Sequence, residues 1–346
     1  MDAEKIKKTL DDNPALTGEF IRALLELEAA MSYPENNIRD TFTGLLADEV
    51  FKGRTFIKKL SNGLKMKFIY NSKIAREFLL STPQEPDHVW EPQTTKVLQH
   101  FSASARHIIV GGAYFGDHAI LIAEIMRDKG ICHAFEPNET NCSLIEENAR
   151  LNNISNIRIN KMALWSKSGE KLRFEGEDAL ASTVPASAGS SGYIETVTLD
   201  DYMIAANIDS LDLLMIDVEG GEMKVLQGAV EMFQKNSPVV IFENHSLHND
   251  WSDSLQNSDS VKFMKDLGYH VFSIRDFHNN MNTAGMKVEL VPVERTFTEG
   301  PPHGFNLLAV KNKSLIEHDL FRIVYDYSPK LLLHKKEKEF LPAVYE

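Results

Sequence analysis

From about residue 93 the chain alternates short apolar runs with stretches long enough for a helix. That alternation restricts it to a mostly parallel sheet wrapped by helices. Strands are expected over residues 107–113, 131–136, 156–164, 211–217, 238–243, 269–274 and 305–310. Helices are expected over 117–129, from the second strand through Asn152, over 219–234 and over 258–267. The fourth run, Leu214-Met215-Ile216-Asp217, passes abruptly from apolar to acidic, as a buried strand does where it leaves the sheet. No internal repeat is visible, and residues 186–192 read as a flexible Ala/Ser/Gly loop.

The 346 residues suffice for one large α/β domain and a small extra module. Hydrophobic residues at 43% and charged residues at 25% can build an ordinary core. Fifty acidic against 37 basic residues give a net charge of −13, which opposes non-specific binding to phosphate backbones. No nucleic-acid partner is therefore expected. Cys132 and Cys142 have neither the number nor the spacing of a disulfide framework or a zinc site. The polar start Met1-Asp2-Ala3-Glu4-Lys5 lacks a signal-peptide core, and no run approaches the roughly 18 apolar residues of a membrane span. A cytoplasmic protein is expected.

Residues 1–50 read as helical, with Phe20, Ala23, Leu24, Leu27 and Met31 sharing one face. Residues 54–71 read as a hairpin turning at Gly63, and Pro83 and Pro86 break the chain beyond it. The expected organisation is an N-terminal helical and hairpin extension over 1–85, a catalytic domain over 86–312 and a C-terminal tail over 313–346 packing on the core. The extension can pack on the domain, cover the site or form a homodimer contact.

In doubly wound sheets ligands bind beyond the carboxyl ends of the strands, where the strand order switches. The first strand ends in Val110-Gly111-Gly112-Ala113-Tyr114-Phe115-Gly116, which lacks the G-x-G-x-x-G that seats a pyrophosphate. Glu136, in Phe135-Glu136-Pro137, ends the second strand, where a carboxylate can accept both hydroxyls of a ribose. Loop and acid together point to an adenosine-containing cofactor, without separating S-adenosylmethionine (SAM) from NAD.

The segment Ile216-Asp217-Val218-Glu219-Gly220-Gly221-Glu222, followed by Val225-Leu226-Gln227-Gly228-Ala229, resembles the hallmark of the FkbM family of SAM-dependent methyltransferases. The resemblance spans about 90–312 and takes in Trp90-Glu91, the glycine loop, Phe135-Glu136-Pro137, Asn148, Asn152-Asn153, Met162-Ala163-Leu164, Ser182-Thr183-Val184 and Thr198-Leu199-Asp200-Asp201. It implies a seven-stranded Rossmann-like class I methyltransferase sheet flanked by helices, its last strand antiparallel. It also implies SAM as cofactor, with Gly111, Gly112 and Ala113 along its methionine and ribose and Tyr114 and Gly116 completing the loop. Glu136 would hold the ribose, Pro137 would follow it, Met162 and Ala163 would border the adenine, and Glu91 would meet the amino-acid end. Asp217 would face the methyl-transfer zone. Two residues depart from the family pattern: Val110 stands where many members carry an acid that helps bind the SAM ammonium, and Tyr114 where Asn is common.

An oxygen acceptor must lose its proton during methyl transfer, so a general base is expected within hydrogen-bond reach. Asp217, Glu219, Glu243 and His245 fall at or just after the ends of strands four and five. His245 has the best-matched ordinary pKa, with Glu243 to orient it. No metal is expected; if one were used, Asp217, Glu243 and His245 would be its ligands. Glu222 and Lys224 are read as a solvated helix face, and His303 lies in a turn-rich loop before the last strand. The expected reaction is O-methylation of a sugar, glycan or small natural product. An NAD-dependent oxidoreductase, a non-catalytic binding protein on this fold and a nucleic-acid methyltransferase are the alternatives.

Overall fold

Leu213–Ile216 is buried at every position, the pattern of a strand covered on both faces, and it lies at the centre of the principal sheet. A computed structural model describes residues 3–81, 89–175, 182–185, 193–249, 254–298 and 304–343. The expected loop at 186–192 and His303 lie outside these residues. Two compact units share the chain: Met1–Pro92 with Phe277–Asn282 and Leu331–Glu346, and Gln93–Asp276 with Thr283–Lys330.

In the first unit, helices α1 (Ala3–Asp11), α2 (Pro14–Ala30) and α3 (Gly44–Phe51) precede a hairpin of β1 (Thr55–Lys59) and β2 (Lys65–Ile69), then α4 (Lys73–Leu79). Of the expected apolar face of α2 only Leu24 is fully buried. Thr17, Leu24 and Glu28 point inward, whereas Leu27 and Met31 are 38% and 45% exposed. The cause is an ion-pair hub. The buried Arg39 guanidinium donates to Glu28 (2.6 and 3.0 Å), Glu77 (2.7 Å) and the Leu80 carbonyl (2.6 Å). Pairing Glu28 with Arg39 turns that side of α2 inward at the expense of the apolar stripe.

The second unit begins with α5 (Pro92–Ser102), β3 (His107–Gly111), α6 (Asp117–Met126), β4 (Ile131–Phe135), α7 (Glu139–Leu151) and β5 (Ile157–Asn160). The short strands β6 (Ala163–Leu164), β7 (Lys171–Glu175), β8 (Ser182–Pro185) and β9 (Ile194–Val197) form a separate sheet of order β6-β9-β7-β8. The expected third strand is thus two strands in two sheets. Then come α8 (Leu199–Ala205), β10 (Leu213–Ile216), α9 (Glu222–Gln227), α10 (Val230–Lys235), β11 (Val239–Asn244), α11 (Asp259–Asp266), β12 (His270–Ile274), β13 (Val288–Pro292), β14 (Phe305–Val310) and β15 (Phe321–Ile323).

The principal sheet runs β15-β13-β12-β14-β11-β10-β3-β4-β5. β3, β4, β5, β10 and β11 are mutually parallel where they pair, and β14 enters antiparallel between β11 and β12. From β12 to β5 the seven strands have the order expected from the resemblance, with β14 antiparallel to its neighbours. The count differs from the expected seven, because β13 and β15 continue the sheet beyond β12 to nine strands among the described residues. Ile109, Leu214, Ile216, Val240, Phe242 and Leu307 belong to one buried cluster filling the space between this sheet and its helices. The strand order reverses about β3, so the ends of β3, β4 and β10 form the crevice where a ligand is expected. No helix among the described residues is long and apolar enough to cross a membrane.

Candidate functional site

Gly111, the last residue of β3, stands in register between Phe135 of β4 and Ile216 of β10. Its carbonyl accepts from the Asp217 amide at 2.9 Å, and the amides of Gly112 and Ala113 both donate to the Phe135 carbonyl at 3.0 Å. These bonds lock the glycine loop to the strands on either side. Gly112 has φ +79°, and a Cβ there would overlap the Asp217 carbonyl oxygen, so no other residue fits. Tyr114, with φ +48°, sends its amide to Glu136 Oε2 at 2.8 Å. Gly116 then caps α6 at φ +90°.

Glu136 is buried, and both its oxygens accept backbone amides, Oε2 from Tyr114 and Oε1 from Asn138 at 2.7 Å. The Asn141 side chain bonds to the same carboxylate, whose two oxygens together have one more acceptor position than these three donors fill. Burial raises its pKa to about 7 despite those two amides. Pro137 is half-buried behind it. The Glu136 amide donates to the Asn160 carbonyl at 3.1 Å, and so does the Met162 amide at 2.9 Å. Glu136, Met162 and Ala163 are therefore neighbours at the ends of β4 and β5. Asn160, which sequence reasoning passed over, joins a half-buried polar line there. Its amide nitrogen donates to the Tyr202 hydroxyl at 3.3 Å, that hydroxyl is 2.8 Å from His133 Nδ1, and His133 Nε2 is 3.2 Å from His107 Nδ1.

Across the crevice, one oxygen each of Asp217, Glu219 and Glu243 lies within 4.8 Å of the others. Glu219 reaches the group because it adopts φ +51°, directly before Gly220 at φ +94°. Glu243 has its room because Gly304 has no side chain; a Cβ there would overlap the Glu243 carboxylate. Burial raises the pKa values of Asp217 and Glu219, with the Glu222 charge adding to both and the Asp217 charge adding to that of Glu219. Three hard oxygen donors at this spacing are also a set that a divalent cation accepts. His245 is not part of this group, so the triplet contains Glu219 where the sequence suggested the imidazole. The Leu247 amide donates to His245 Nδ1 at 3.0 Å, which leaves the proton of the neutral ring on Nε2.

The reading of Glu222 as a solvated residue is corrected. It is buried, and Oε1 accepts the amides of Val218 (3.1 Å) and Gly220 (3.2 Å), clasping the loop that carries Glu219. The acid two residues after Gly220 can reach back to that loop's amides, a signal the sequence contains. Glu91 belongs to the other unit. There it is buried at φ +47°, with Oε1 3.7 Å from His278 Nε2, and Trp90 stacks on the same imidazole.

No curated protein matches the chain. Among solved structures it is similar to an FkbM methyltransferase from Methylobacillus flagellatus, at 15% identity and a TM-score of 0.37. That match covers 60% of this chain and 44% of the other, so this chain spans less than half of that protein. An O-methyltransferase from Bacillus cereus in complex with SAH matches at 15% identity, covering 65% and 84%, with a TM-score of 0.37. An rRNA methylase from Streptococcus thermophilus matches at 8% identity, covering 63% and 93%, with a TM-score of 0.35. Residues 111–271, from the glycine loop through the acidic group to β12, match the family described as the methyltransferase FkbM domain.

Proposed function

We propose that the protein transfers a methyl group from SAM to a hydroxyl oxygen of a sugar, glycan or other small molecule. The observation that carries this reading is the convergence of Asp217, Glu219 and Glu243 beside a glycine loop whose other flank is Glu136. When bound, SAM supplies an electrophilic methyl group that needs no further activation. The chain's task is to align the acceptor and take its proton. Glu136 presents its carboxylate to the ribose hydroxyls, and Gly112 lets the loop pack directly on the Asp217 backbone. The three carboxylates share charge in a confined space, so one of them readily accepts a proton from an acceptor hydroxyl. His245, with its proton on Nε2, suits donation to an acceptor oxygen better than proton removal.

The test is label transfer from SAM to a panel of sugar and phenolic hydroxyls, together with calorimetric binding of S-adenosylhomocysteine. Asp217→Asn is expected to bind within about threefold of wild type and to turn over at least about a hundredfold more slowly. Glu136→Ala is expected to lose binding. Absence of SAM and S-adenosylhomocysteine binding at millimolar concentration would sink the reading and favour a non-catalytic protein. The spacing of the three carboxylates also supports a metal-assisted version, recognised by loss of turnover in EDTA and its return with Mg²⁺.

A further inference from the structure

SAM carries an ammonium at its amino-acid end, and a buried ammonium needs an anionic partner. Strand β3 offers none, because Val110 is 1% exposed and paired in register with Met215 and Ala134. The next carboxylate along the chain is Asp117, the first residue of α6, directly after Gly116. Because α6 springs from the end of β3, Asp117 lies over the middle of the crevice, with Glu136 beyond β4 on one side and Asp217 beyond β10 on the other. Its charge acts on both of those acids, disfavouring their ionisation.

The Asp117 side chain is only 12% exposed, yet among the described residues its closest charged neighbour is His118 Nδ1 at 3.8 Å. That gap is too long for a hydrogen bond. His118 Nε2 faces Thr95 Oγ1 at 3.5 Å, so the ring is turned toward α5 as well. A carboxylate this little exposed, with no hydrogen bond among the described residues and at the mouth of a ligand crevice, is placed to take an arriving donor.

We propose that Asp117 is the anion that receives the α-ammonium of the cofactor's amino-acid arm, the end that the sequence reading gave to Glu91. The inference rests on the reading of this crevice as a SAM site. It is tested by calorimetry with two probes, S-adenosylhomocysteine and 5′-methylthioadenosine, the second having the adenosine but no amino-acid arm. Asp117→Asn keeps the shape and removes the charge. It is expected to weaken S-adenosylhomocysteine at least about tenfold while leaving 5′-methylthioadenosine within about twofold. Equal weakening of both probes, or of neither, overturns the role, since a merely structural aspartate would not separate them. Wild-type protein that binds neither probe overturns the SAM reading itself and this inference with it. Wild-type protein that binds both alike overturns only this inference. Glu136→Gln supplies the opposite pattern, weakening both probes together.

Discussion

Glu136 shows how one residue links site chemistry to stability. Burial raises its carboxyl from the ordinary 4.5 to about 7, the amides of Asn138 and Tyr114 offsetting part of the cost. A raised folded-state pKa means that the folded protein holds the proton more tightly than the unfolded chain. The resulting stability is complete below about pH 4.5 and is lost as pH rises through 7. For a shift of this size the change is on the order of 3 kcal/mol. Urea unfolding of the unliganded protein at pH 5 and pH 8 should therefore show Glu136→Gln losing less stability than wild type over that interval. Equal slopes for the two proteins would refute the assignment. Residue identity made Glu136 legible in the sequence, since an acid ending a strand is unusual unless it meets a ligand. Asp117 was not legible, because an acid in the first turn of a helix already has a sufficient explanation in the helix dipole. Only its burial without a hydrogen-bonded partner marks it.

At the scale of elements, the alternation of apolar runs disclosed β3, β4, β10, β11 and β14 because each is buried on both faces and needs no distant partner to be recognised. Errors arose where a distant residue decides the outcome. The single helix expected over 219–234 is α9 and α10, broken at Gly228. A Cβ at Gly228 would overlap the Trp165 carbonyl oxygen, and Asp200 caps α10 by accepting the amides of Glu231 (3.0 Å) and Met232 (2.7 Å). Neither contact can be read from local periodicity. The loop before α9 depends equally on one side chain, since Glu222 alone supplies an acceptor to both Val218 and Gly220. Glu222→Ala should leave two part-buried donors without that acceptor and cost about 1–2 kcal/mol in urea unfolding. It should also slow methyl transfer more than it weakens S-adenosylhomocysteine, because the loop it releases carries Glu219 rather than Glu136. Glu222→Gln keeps an acceptor oxygen and should recover most of both losses.

Across the whole molecule, the chain leaves and re-enters the first unit, which is assembled from 1–92, 277–282 and 331–346. Local pattern finds the helices and hairpin of its first segment but cannot find this assembly. The short return segment is tied in by its backbone: the Asn280 amide donates to Glu77 Oε2 at 2.8 Å, and the Asn279 side chain donates to the Tyr33 hydroxyl at 2.9 Å. Both partners surround Arg39, which lies over the Tyr33 ring at 4.2 Å and pairs with Glu28 and Glu77. The hub therefore joins α2, α4 and a segment some 200 residues away through one guanidinium. Removing that cation strands two carboxylates in a site where Arg39, Glu28 and Glu77 are each at most 2% exposed. Arg39→Met should cost about 3–5 kcal/mol in urea unfolding. Adding Glu28→Gln and Glu77→Gln to Arg39→Met removes the stranded charges and should restore about half of the loss or more. If the triple variant were no more stable than Arg39→Met, packing of the guanidinium rather than charge compensation would be what holds the return segment in place.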